Sequence, residues 1–417
     1  MAENQQVAAA PSGAASPVNN AFGSANGRLR VGLVGCGGRG TGAAYDAIRA
    51  DKSVQVVALG DLFPDRLNRC RNRLADIAKE DPAVADQIDI TDDRCFTGFD
   101  NYKKVIDAGI DYVLLCAPPG FRPMHFKYAV DKGKHAFVEK PVATDPVGVR
   151  AFLASNEEAK KKNLGVLAGT VFRHHMPHID AIKQIHSGEF GQVISGVSYY
   201  NVNYLWHHAR QPEWTDTEYQ LRNWLYFTWL SGDLIVEQNI HRIDITNWIM
   251  KSPPVSAYGM GGREVRTDPA FGNVYDHFAV EFEYPGGVKV VNTCRQINGC
   301  ENRVTEYYTM SDGTVLEPSK GPKTGKRTKL EPLGEGYIRE HKDLIQSLKD
   351  GKPLNEGQMV ADCTLTAIMG RMSAYTGKLV TWEQALNSKL DLWPKQELTF
   401  GPMEVGPVPQ PGKAPLI

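Results

Sequence analysis

The feature that most constrains this fold is a glycine-rich turn, in which six glycines fall within the twelve residues 31–42. Gly35, Gly37 and Gly40 have the spacing G-x-G-x-x-G. With that spacing a chain can leave a strand through a tight turn, bring bare backbone close to a ligand and begin a helix against the sheet. We predict that the helix opens at Gly40, where its free N–H groups would bind a pyrophosphate.

The residues on either side of this turn favour a dinucleotide site. RLRVGLVG is typical of a buried strand, TGAAYDAIRA of a helix, and VQVVALG of a second strand that ends at Asp61. Asp61 follows Gly40 by about twenty residues, where a carboxylate accepts hydrogen bonds from ribose hydroxyls and repels the extra phosphate of NADP. The sequence therefore favours NAD, with NADP as the weaker alternative.

Strand-like and helix-like stretches alternate up to about residue 170, which predicts βαβ units and a doubly wound parallel sheet. Beyond about residue 193, longer β-rich runs joined by hairpin signals predict a mostly antiparallel open sheet in a second α/β domain. We place a flexible arm at residues 1–28, the Rossmann domain at 29–150, a substrate and oligomerisation domain at 151–395 and an irregular tail at 396–417.

Composition narrows the class of partner. Lys and Arg number 47 against 48 Asp and Glu, so no net field attracts nucleic acid or an anionic membrane. No run of about twenty apolar residues is present, and the seven cysteines form no CxxC pair. We expect a soluble protein with small-molecule partners, cytoplasmic as written or periplasmic if Met1 replaces a removed export signal.

Two segments carry candidate catalytic groups. Residues 232–250 predict one helix on which Glu237, His241 and Asp244 share a face, at i, i+4 and i+7. A histidine between two carboxylates would have its charged form stabilised, which suits a general acid and base; the alternative is a structural histidine on an amphipathic helix. Lys140 ends an apolar strand at the sheet's carboxyl edge, where an ammonium can hold a developing alkoxide or simply lie at the surface.

Taken together, these motifs resemble the glucose-fructose oxidoreductase/inositol dehydrogenase (Gfo/Idh/MocA) family. The resemblance rests on the glycine turn, the acidic end of the second strand, the EKP motif around Lys140 and the motif acid-x-x-x-His-x-x-Asp. It implies that Lys140 orients substrate beside nicotinamide, that His241 is the acid/base, and that the second domain forms homo-oligomers, as dimers or tetramers. Glu237 stands where many members have Asp, so its role is open.

The resemblance and the motifs give two sets of site residues. The expected cofactor contacts are Gly35, Cys36, Gly37, Gly38, Arg39, Gly40, Asp61, Ala117, Pro118, His125, Glu139, Lys140 and Arg173. The expected substrate contacts are Lys140, Arg173, Trp206, Glu237, His241 and Asp244, with Lys140, His241 and Glu237 as the catalytic group. Trp206 belongs to an aromatic stretch that suits a pyranose face, or else an aromatic core or interface.

We predict an NAD(P)-dependent oxidoreductase that moves hydride between nicotinamide and a secondary hydroxyl or ketone of a sugar, glycoside or polyol. The alternatives are an NAD-dependent glycosidase that uses transient oxidation and elimination, a sugar-to-sugar oxidoreductase with tightly held cofactor, and a non-catalytic NAD-binding sensor. The glycosidases depart from the family at the EKP lysine, which this chain keeps. Three histidines at 174, 175 and 178 lack a clustered carboxylate, so we expect no metal.

Overall fold

The computed structural model describes residues 27–324 and 331–417, so residues 1–26 of the expected arm lie outside the described part. Its first sheet has six strands, all parallel to their neighbours, in the order β3-β2-β1-β4-β5-β6. The strands are β1 (Leu29–Val34), β2 (Val54–Asp61), β3 (Cys95–Thr97), β4 (Tyr112–Leu115), β5 (His135–Val138) and β6 (Val166–Ala168). This order confirms the predicted Rossmann sheet.

Helices follow these strands and cover both faces of the sheet. They are α1 (Gly38–Ala50), α2 (Pro64–Glu80), α3 (Asn101–Asp107), α4 (Arg122–Asp131), α5 (Pro146–Lys161) and α6 (Met176–His186). Strand β6 belongs to this sheet, which therefore continues past residue 150, where the sequence analysis places the end of the Rossmann domain. The order reverses at β1, which lies between β2 and β4, so the ligand crevice opens at the carboxyl ends of these strands.

The second sheet has seven strands in the order β12-β11-β7-β10-β9-β8-β13. They are β7 (Val193–Val202), β8 (Ser256–Gly262), β9 (His277–Tyr284), β10 (Val288–Gln296), β11 (Arg303–Met310), β12 (Val315–Leu316) and β13 (Val380–Thr381). Only the β10–β7 pair is parallel among these neighbours. The prediction of a mostly antiparallel second sheet is thus confirmed.

The remaining helices come from the chain after β7. They are α7 (Asp216–Arg222), α8 (Thr228–Ser231), α9 (Leu234–Glu237), α10 (Ile240–Met250), α11 (Leu333–Lys349), α12 (Gly357–Thr376) and α13 (Trp382–Asn387). Helix α12 is buried on nearly all sides, since most of its own residues on every side are apolar or small. Its Ile368 and Met372 share one hydrophobic core with Phe152 of α5 and Phe282 of β9, so the two sheets have a continuous interior.

Two late segments return to the first domain. Leu344 and Leu348 of α11 pack in the same core as Ala43 and Ala47 of α1. Residues 388–417 contain no helix or strand, yet they pack against α7, where the Gln220 side chain donates to the carbonyl of Met403 (2.9 Å). Within the described ranges, no helix is both long and apolar enough to cross a bilayer.

Candidate active site

The glycine turn has the geometry that its spacing predicts. Gly35 has φ +98°, and a Cβ on it would lie 2.5 Å from the amide nitrogen of Ala117. A Cβ on Gly40 would lie 1.9 Å from the carbonyl oxygen of Gly35. Both positions therefore require glycine, the first for a left-handed turn at the sheet edge and the second for close contact between helix and strand.

Helix α1 begins at Gly38, with Gly37 as its N-cap, rather than at Gly40 as predicted. The turn takes only Gly35, Cys36 and the extended Gly37 before the backbone becomes helical. No side chain caps this end of the helix, and a Cβ on Gly37 or Gly38 would meet nothing within 4 Å. The first N–H groups of α1 thus face open space with the positive end of the helix dipole, which fits a pyrophosphate.

This end of α1 opens into a cavity of about 670 Å³ along the carboxyl edge of the first sheet. One wall comes from the first domain and includes the glycine turn, Asp61, Phe63, Arg66, Ala117, Pro118 and His125. The opposite wall comes from the connection between β7 and α9 and consists of Trp206, His208, Leu221 and Trp224. The cavity therefore brings together most of the expected cofactor contacts, from Gly35 to His125.

Asp61 ends β2 inside this cavity. Its carboxylate accepts hydrogen bonds from the backbone N–H of Cys36 (2.7 Å) and of Phe63 (2.9 Å). Burial raises the pKa of Asp61, and these two N–H donors offset only part of that rise. The two hydrogen bonds fix the carboxylate between the glycine turn and the start of α2, and each oxygen keeps a lone pair for a ligand hydroxyl.

Lys140 lies at the end of β5 and reaches the second domain. Its Nζ donates to Oε1 of Glu237 (2.9 Å) and to the backbone carbonyl of Glu237 (2.6 Å). Both side chains are nearly buried, with 11% and 7% of their surface exposed. Burial lowers the pKa of Lys140, but the carboxylates of Glu237 and Glu139 outweigh it and the net pKa is raised, so the ammonium stays charged.

The prediction of one helix over residues 232–250 is wrong. Helix α9 ends at Glu237 and α10 begins at Ile240. The break leaves the Glu237 carbonyl free to accept from Lys140. The side chains of the two break residues also turn to other partners: Gln238 donates to the Glu237 carboxylate, and Asn239 donates to Asn292.

His241 opens α10 and is uncharged at neutral pH. Burial lowers its pKa well below 6.5, and the positive charges of Lys140, Arg242 and Arg39 lower it further. The expectation that two carboxylates stabilise the charged form is therefore wrong, because Glu237 is paired with Lys140. His241 packs edge-on against the ring of Phe172, with centroids 5.6 Å apart. Because the imidazole is neutral, one of its ring nitrogens carries no proton and can accept one.

Asp244 and Arg173 are bound to each other. The Nε of Arg173 donates to both carboxylate oxygens of Asp244, at 2.9 and 3.0 Å. The guanidinium also lies over the ring of Trp248, 5.1 Å from its centroid. The structure thus shows both residues in a buried ion pair, and their expected ligand contacts stay predictions.

Trp206 lies at a different place from the lysine. Among the described residues, the cavity lining includes Trp206, but it does not include Lys140, Glu237 or His241. The structure therefore groups Trp206 with Asp61 and the glycine turn. Its expected contact with a sugar stays a prediction.

Arg39 and its three carboxylates form a network that the sequence does not reveal. The guanidinium donates to Asp46 (3.2 Å), to Glu340 of α11 (3.0 Å) and to Glu139 of the EKP motif. Glu139 in turn accepts from the backbone N–H of Lys140 (3.1 Å). Arg39 therefore connects the glycine turn to Lys140. Because its guanidinium is bound to three carboxylates, we assign it the role of positioning Glu139 and Lys140.

Tyr200 is a second site residue that sequence reasoning missed. Its hydroxyl donates to Oε1 of Gln238 (3.2 Å), whose amide holds the carboxylate that binds Lys140. Burial raises the pKa of Tyr200, so the phenol is neutral at pH 7. A strand residue 38 positions before its hydrogen-bond partner gives no local signal, and only the folded structure brings Tyr200 and Gln238 together.

Of the three histidines at 174, 175 and 178, two contact each other and the third lies between carboxylates. Nδ1 of His175 lies 2.8 Å from Nδ1 of His178, and His174 lies between Asp343 and Glu356, which raise its pKa to about 10 against the opposing effect of burial. In the part of the chain that the structure describes, no group of three or more His, Cys, Asp or Glu side chains could hold a metal ion.

The glycine turn and Asp61 at the carboxyl edge of the parallel sheet are features of a protein that binds a dinucleotide on a Rossmann domain. The family description "Oxidoreductase family, NAD-binding Rossmann fold" matches residues 29–167, and "GFO/IDH/MocA C-terminal domain" matches residues 178–310. The chain belongs to the Gfo/Idh/MocA family, which confirms the resemblance seen in its motifs.

Similar proteins are diverse. The chain is 28% identical over 231 residues to the uncharacterized oxidoreductase YrbE of Bacillus subtilis, which covers 54% of this chain and 60% of that protein. It is 27% identical over 209 residues to a glycosyl hydrolase family 109 protein of Streptomyces niveus, over 49% of this chain and 38% of that protein. An inositol 2-dehydrogenase of Rhizobium meliloti is 25% identical over 317 residues, 75% of this chain and 81% of its own length.

Solved structures share the fold. The scyllo-inositol dehydrogenase of Lactobacillus casei, solved with bound NAD(H) and scyllo-inositol, superimposes with a TM-score of 0.65 at 16% identity. The superposition covers 85% of this chain and 99% of that one. At this identity the similarity establishes the two-domain architecture and no more.

Proposed function

We propose that this protein is an NAD-dependent oxidoreductase that acts on a secondary hydroxyl or ketone of a sugar, glycoside or polyol. The observation that carries the proposal is that Lys140 is a charged ammonium held by Glu237, while burial and the charge of Lys140 keep His241 neutral. One group can hold a developing alkoxide and the other can accept its proton. The polyol class is favoured by the relatives that are named inositol dehydrogenases.

The residues present fit a nicotinamide dinucleotide. The uncapped start of α1 and the bare surface at Gly37 and Gly38 suit a pyrophosphate, and Asp61 suits the adenosine ribose. We favour NAD because the Asp61 carboxylate repels a 2′-phosphate. Arg66 and Arg69 also line the cavity, so NADP is the comparison ligand that tests this preference.

His241, Lys140 and Glu237 each have a separate role in the proposed reaction. A bound nicotinamide would supply the hydride acceptor for the carbinol carbon. His241 accepts the hydroxyl proton, and Lys140 donates a hydrogen bond to the oxygen as negative charge develops on it. Glu237 keeps the ammonium in place through its carboxylate and its carbonyl, which lowers the entropic cost of aligning the substrate. The same groups act in reverse when a ketone is reduced.

The test uses purified wild-type protein and the variants His241→Asn and Lys140→Met. Each protein is incubated with NAD and a panel of inositols, aldoses and glycosides. We expect NADH formation at 340 nm from at least one polyol or sugar with the wild type and none above background with either variant. Equal rates in wild type and both variants would overturn the assignment of these residues. No reaction and no NAD binding would overturn the function itself.

A second function is favoured by one observation, the match to a glycosyl hydrolase family 109 protein. In that reaction a sugar carbon would be oxidised, the aglycone eliminated and the ring reduced again, so no NADH would accumulate. p-Nitrophenyl glycosides distinguish the two reactions. Release of p-nitrophenol without net NADH would identify a glycosidase, and steady NADH formation without p-nitrophenol would identify a dehydrogenase.

We also propose that the protein forms a homo-oligomer through the open face of its second sheet. Tyr258 of β8 and Val291 of β10 both pair with Glu281 of β9, so all three point to the same face. Tyr258 is 57% exposed and the neighbouring Met260 is 68% exposed. Light scattering is expected to show a dimer or tetramer that Met260→Asp dissociates; a monomeric wild type would contradict this.

A further inference from the structure

The connection between β7 and α9, residues 203–233, forms the second wall of the dinucleotide cavity. Trp206, His208 and Trp224 from this connection line the same cavity as Asp61, Phe63 and Arg66. Asp61 marks the ribose of the adenosine half, because a carboxylate at the end of β2 is where that ribose binds in a Rossmann fold. The aromatic wall therefore lies at the adenine end.

Trp206 has an unusual environment for a tryptophan. It is 41% exposed, and its ring contacts are with Trp224, at 6.1 Å between centroids, and with His208, at 5.1 Å. Burial lowers the pKa of His208, and the charge of Arg66 lowers it further, so this ring is neutral at pH 7. Trp206 thus offers the cavity an exposed aromatic surface beside a neutral imidazole.

The backbone around Trp206 is fixed before any ligand binds. The hydroxyl of the buried Tyr226 donates to the carbonyls of Leu205 (3.1 Å) and Trp206 (3.0 Å). The buried Asn223 bonds both backbone groups of His208, accepting from its N–H (2.8 Å) and donating to its carbonyl (3.0 Å). A loop held on both sides of an exposed aromatic residue pays little conformational entropy when a ring stacks on it.

The connection is also attached to the first domain. Arg222 of α7 forms an ion pair with Asp65 of α2 (3.1 Å), and its backbone carbonyl accepts from Arg66 (3.3 Å). The Arg222 guanidinium lies 4.0 Å from the ring centroid of Phe63, which lines the cavity from the other side. The two walls are therefore held at a fixed separation.

We propose that Trp206, supported by Trp224, is the adenine-binding surface of the cofactor site and that it slows release of the dinucleotide between turnovers. A flat heteroaromatic base stacks on an indole face, and such stacking strengthens base binding by about 5- to 150-fold. This assigns Trp206 to the cofactor rather than to the sugar. The inference rests on the proposed NAD-binding function.

The experiment compares two probes on the full-length protein. NADH carries the adenine, and reduced nicotinamide mononucleotide (NMNH) lacks it. Dissociation constants come from fluorescence titration, and the NADH release rate comes from stopped-flow displacement by excess NAD. The variants are Trp206→Ala, Trp206→Phe and the control Trp382→Ala, which removes a tryptophan from α13 outside the cavity lining.

We expect Trp206→Ala to weaken NADH binding and to speed NADH release by about tenfold or more, with NMNH affinity unchanged. Trp206→Phe restores most of the NADH affinity because a ring remains, and Trp382→Ala matches the wild type. An equal loss for NADH and NMNH would overturn the inference by revealing a merely structural role.

Two further outcomes separate this inference from the proposed function. NADH affinity that is unchanged in Trp206→Ala, together with a raised KM for the sugar, would overturn the adenine site and return Trp206 to the substrate. Failure of the wild type to bind either NADH or NMNH would overturn the proposed function as well.

Discussion

At the residue scale, the site depends on the two hydrogen bonds that Glu237 accepts from Lys140. Glu237 gives Lys140 a carboxylate oxygen and a backbone carbonyl. Asp at this position, which the family resemblance implies for many members, would keep the carbonyl contact and shorten the carboxylate's reach by one methylene. Burial and the charge of Lys140 lower the pKa of His241, so Lys140 is charged and His241 is neutral at pH 7.

Replacing Lys140 by Met removes the group that holds the developing alkoxide. We expect kcat to fall by about 10²- to 10³-fold, as for loss of one preorganised donor, while the dissociation constant of NADH changes less than about threefold. Steady-state kinetics and fluorescence titration measure the two quantities. Lys132→Met, at an exposed lysine of the same domain, is the matched control, and a kcat within threefold of wild type for Lys140→Met would exclude the assigned role.

The pH dependence of alcohol oxidation reports the state of His241. Because its pKa is lowered below 6.5, the imidazole is a free base at pH 7 and loses its capacity to accept a proton only as the pH falls through that lower value. We expect kcat/KM to be constant from about pH 8 to about pH 6.5 and to fall at more acidic pH, with a slope of one proton. A limb centred above pH 6.5 in wild type, or an unchanged profile in His241→Asn, would contradict this.

At the scale of elements, the glycine turn and α1 follow from local sequence, but the break before α10 does not. The spacing of Gly35 and Gly40 predicts the turn because the contacts that require glycine are close at hand. A Cβ on Gly40 would meet Gly35, five residues earlier, and a Cβ on Gly35 would meet Ala117, just after the adjacent strand β4. Residues 238 and 239 instead leave the helix for long-range partners. The Glu237 carbonyl binds a lysine 97 positions earlier, and Asn239 binds a residue 53 positions later.

Two alanine substitutions in the turn separate folding from binding. In Gly40→Ala the new Cβ would overlap the carbonyl oxygen of Gly35, so we expect the free energy of unfolding to fall by about 1–3 kcal/mol. In Gly37→Ala the Cβ enters open cavity, and we expect unchanged unfolding but about tenfold weaker NADH binding because the pyrophosphate needs that space. Chemical denaturation and titration check both; equal destabilisation of the two variants would refute the distinction.

At the scale of the whole molecule, the late helices complete the first domain. Helix α11 packs on α1 and brings Glu340, which is fully buried, to Arg39. The sequence predicts the two sheets from their different periodicities. It gives no sign of the Arg39–Glu340 contact, because 301 residues separate the two and only the assembled core places them together.

Removing Arg39 leaves buried carboxylates without a cation. We expect Arg39→Met to lower the free energy of unfolding by about 3–5 kcal/mol at pH 8 and the double variant Arg39→Met/Glu340→Gln to recover part of it. Burial already raises the pKa of Glu340 and loss of Arg39 raises it further, so the native state binds the extra proton and the deficit grows as pH rises. Denaturation at pH 6 and pH 8 tests the sign, and a smaller deficit at pH 8 would contradict it.

Cofactor binding and hydride transfer can be followed in one measurement on the purified protein. Purified protein is analysed by mass spectrometry for retained NAD(H), and absorbance at 340 nm is then followed after adding polyols and sugars, with and without added NAD. We expect NAD(H) to bind and a polyol or sugar to reduce it in wild type but not in His241→Asn. If no nicotinamide cofactor binds, or if the variant shows identical reduction, this protein is not the proposed oxidoreductase or His241 is not its acid/base.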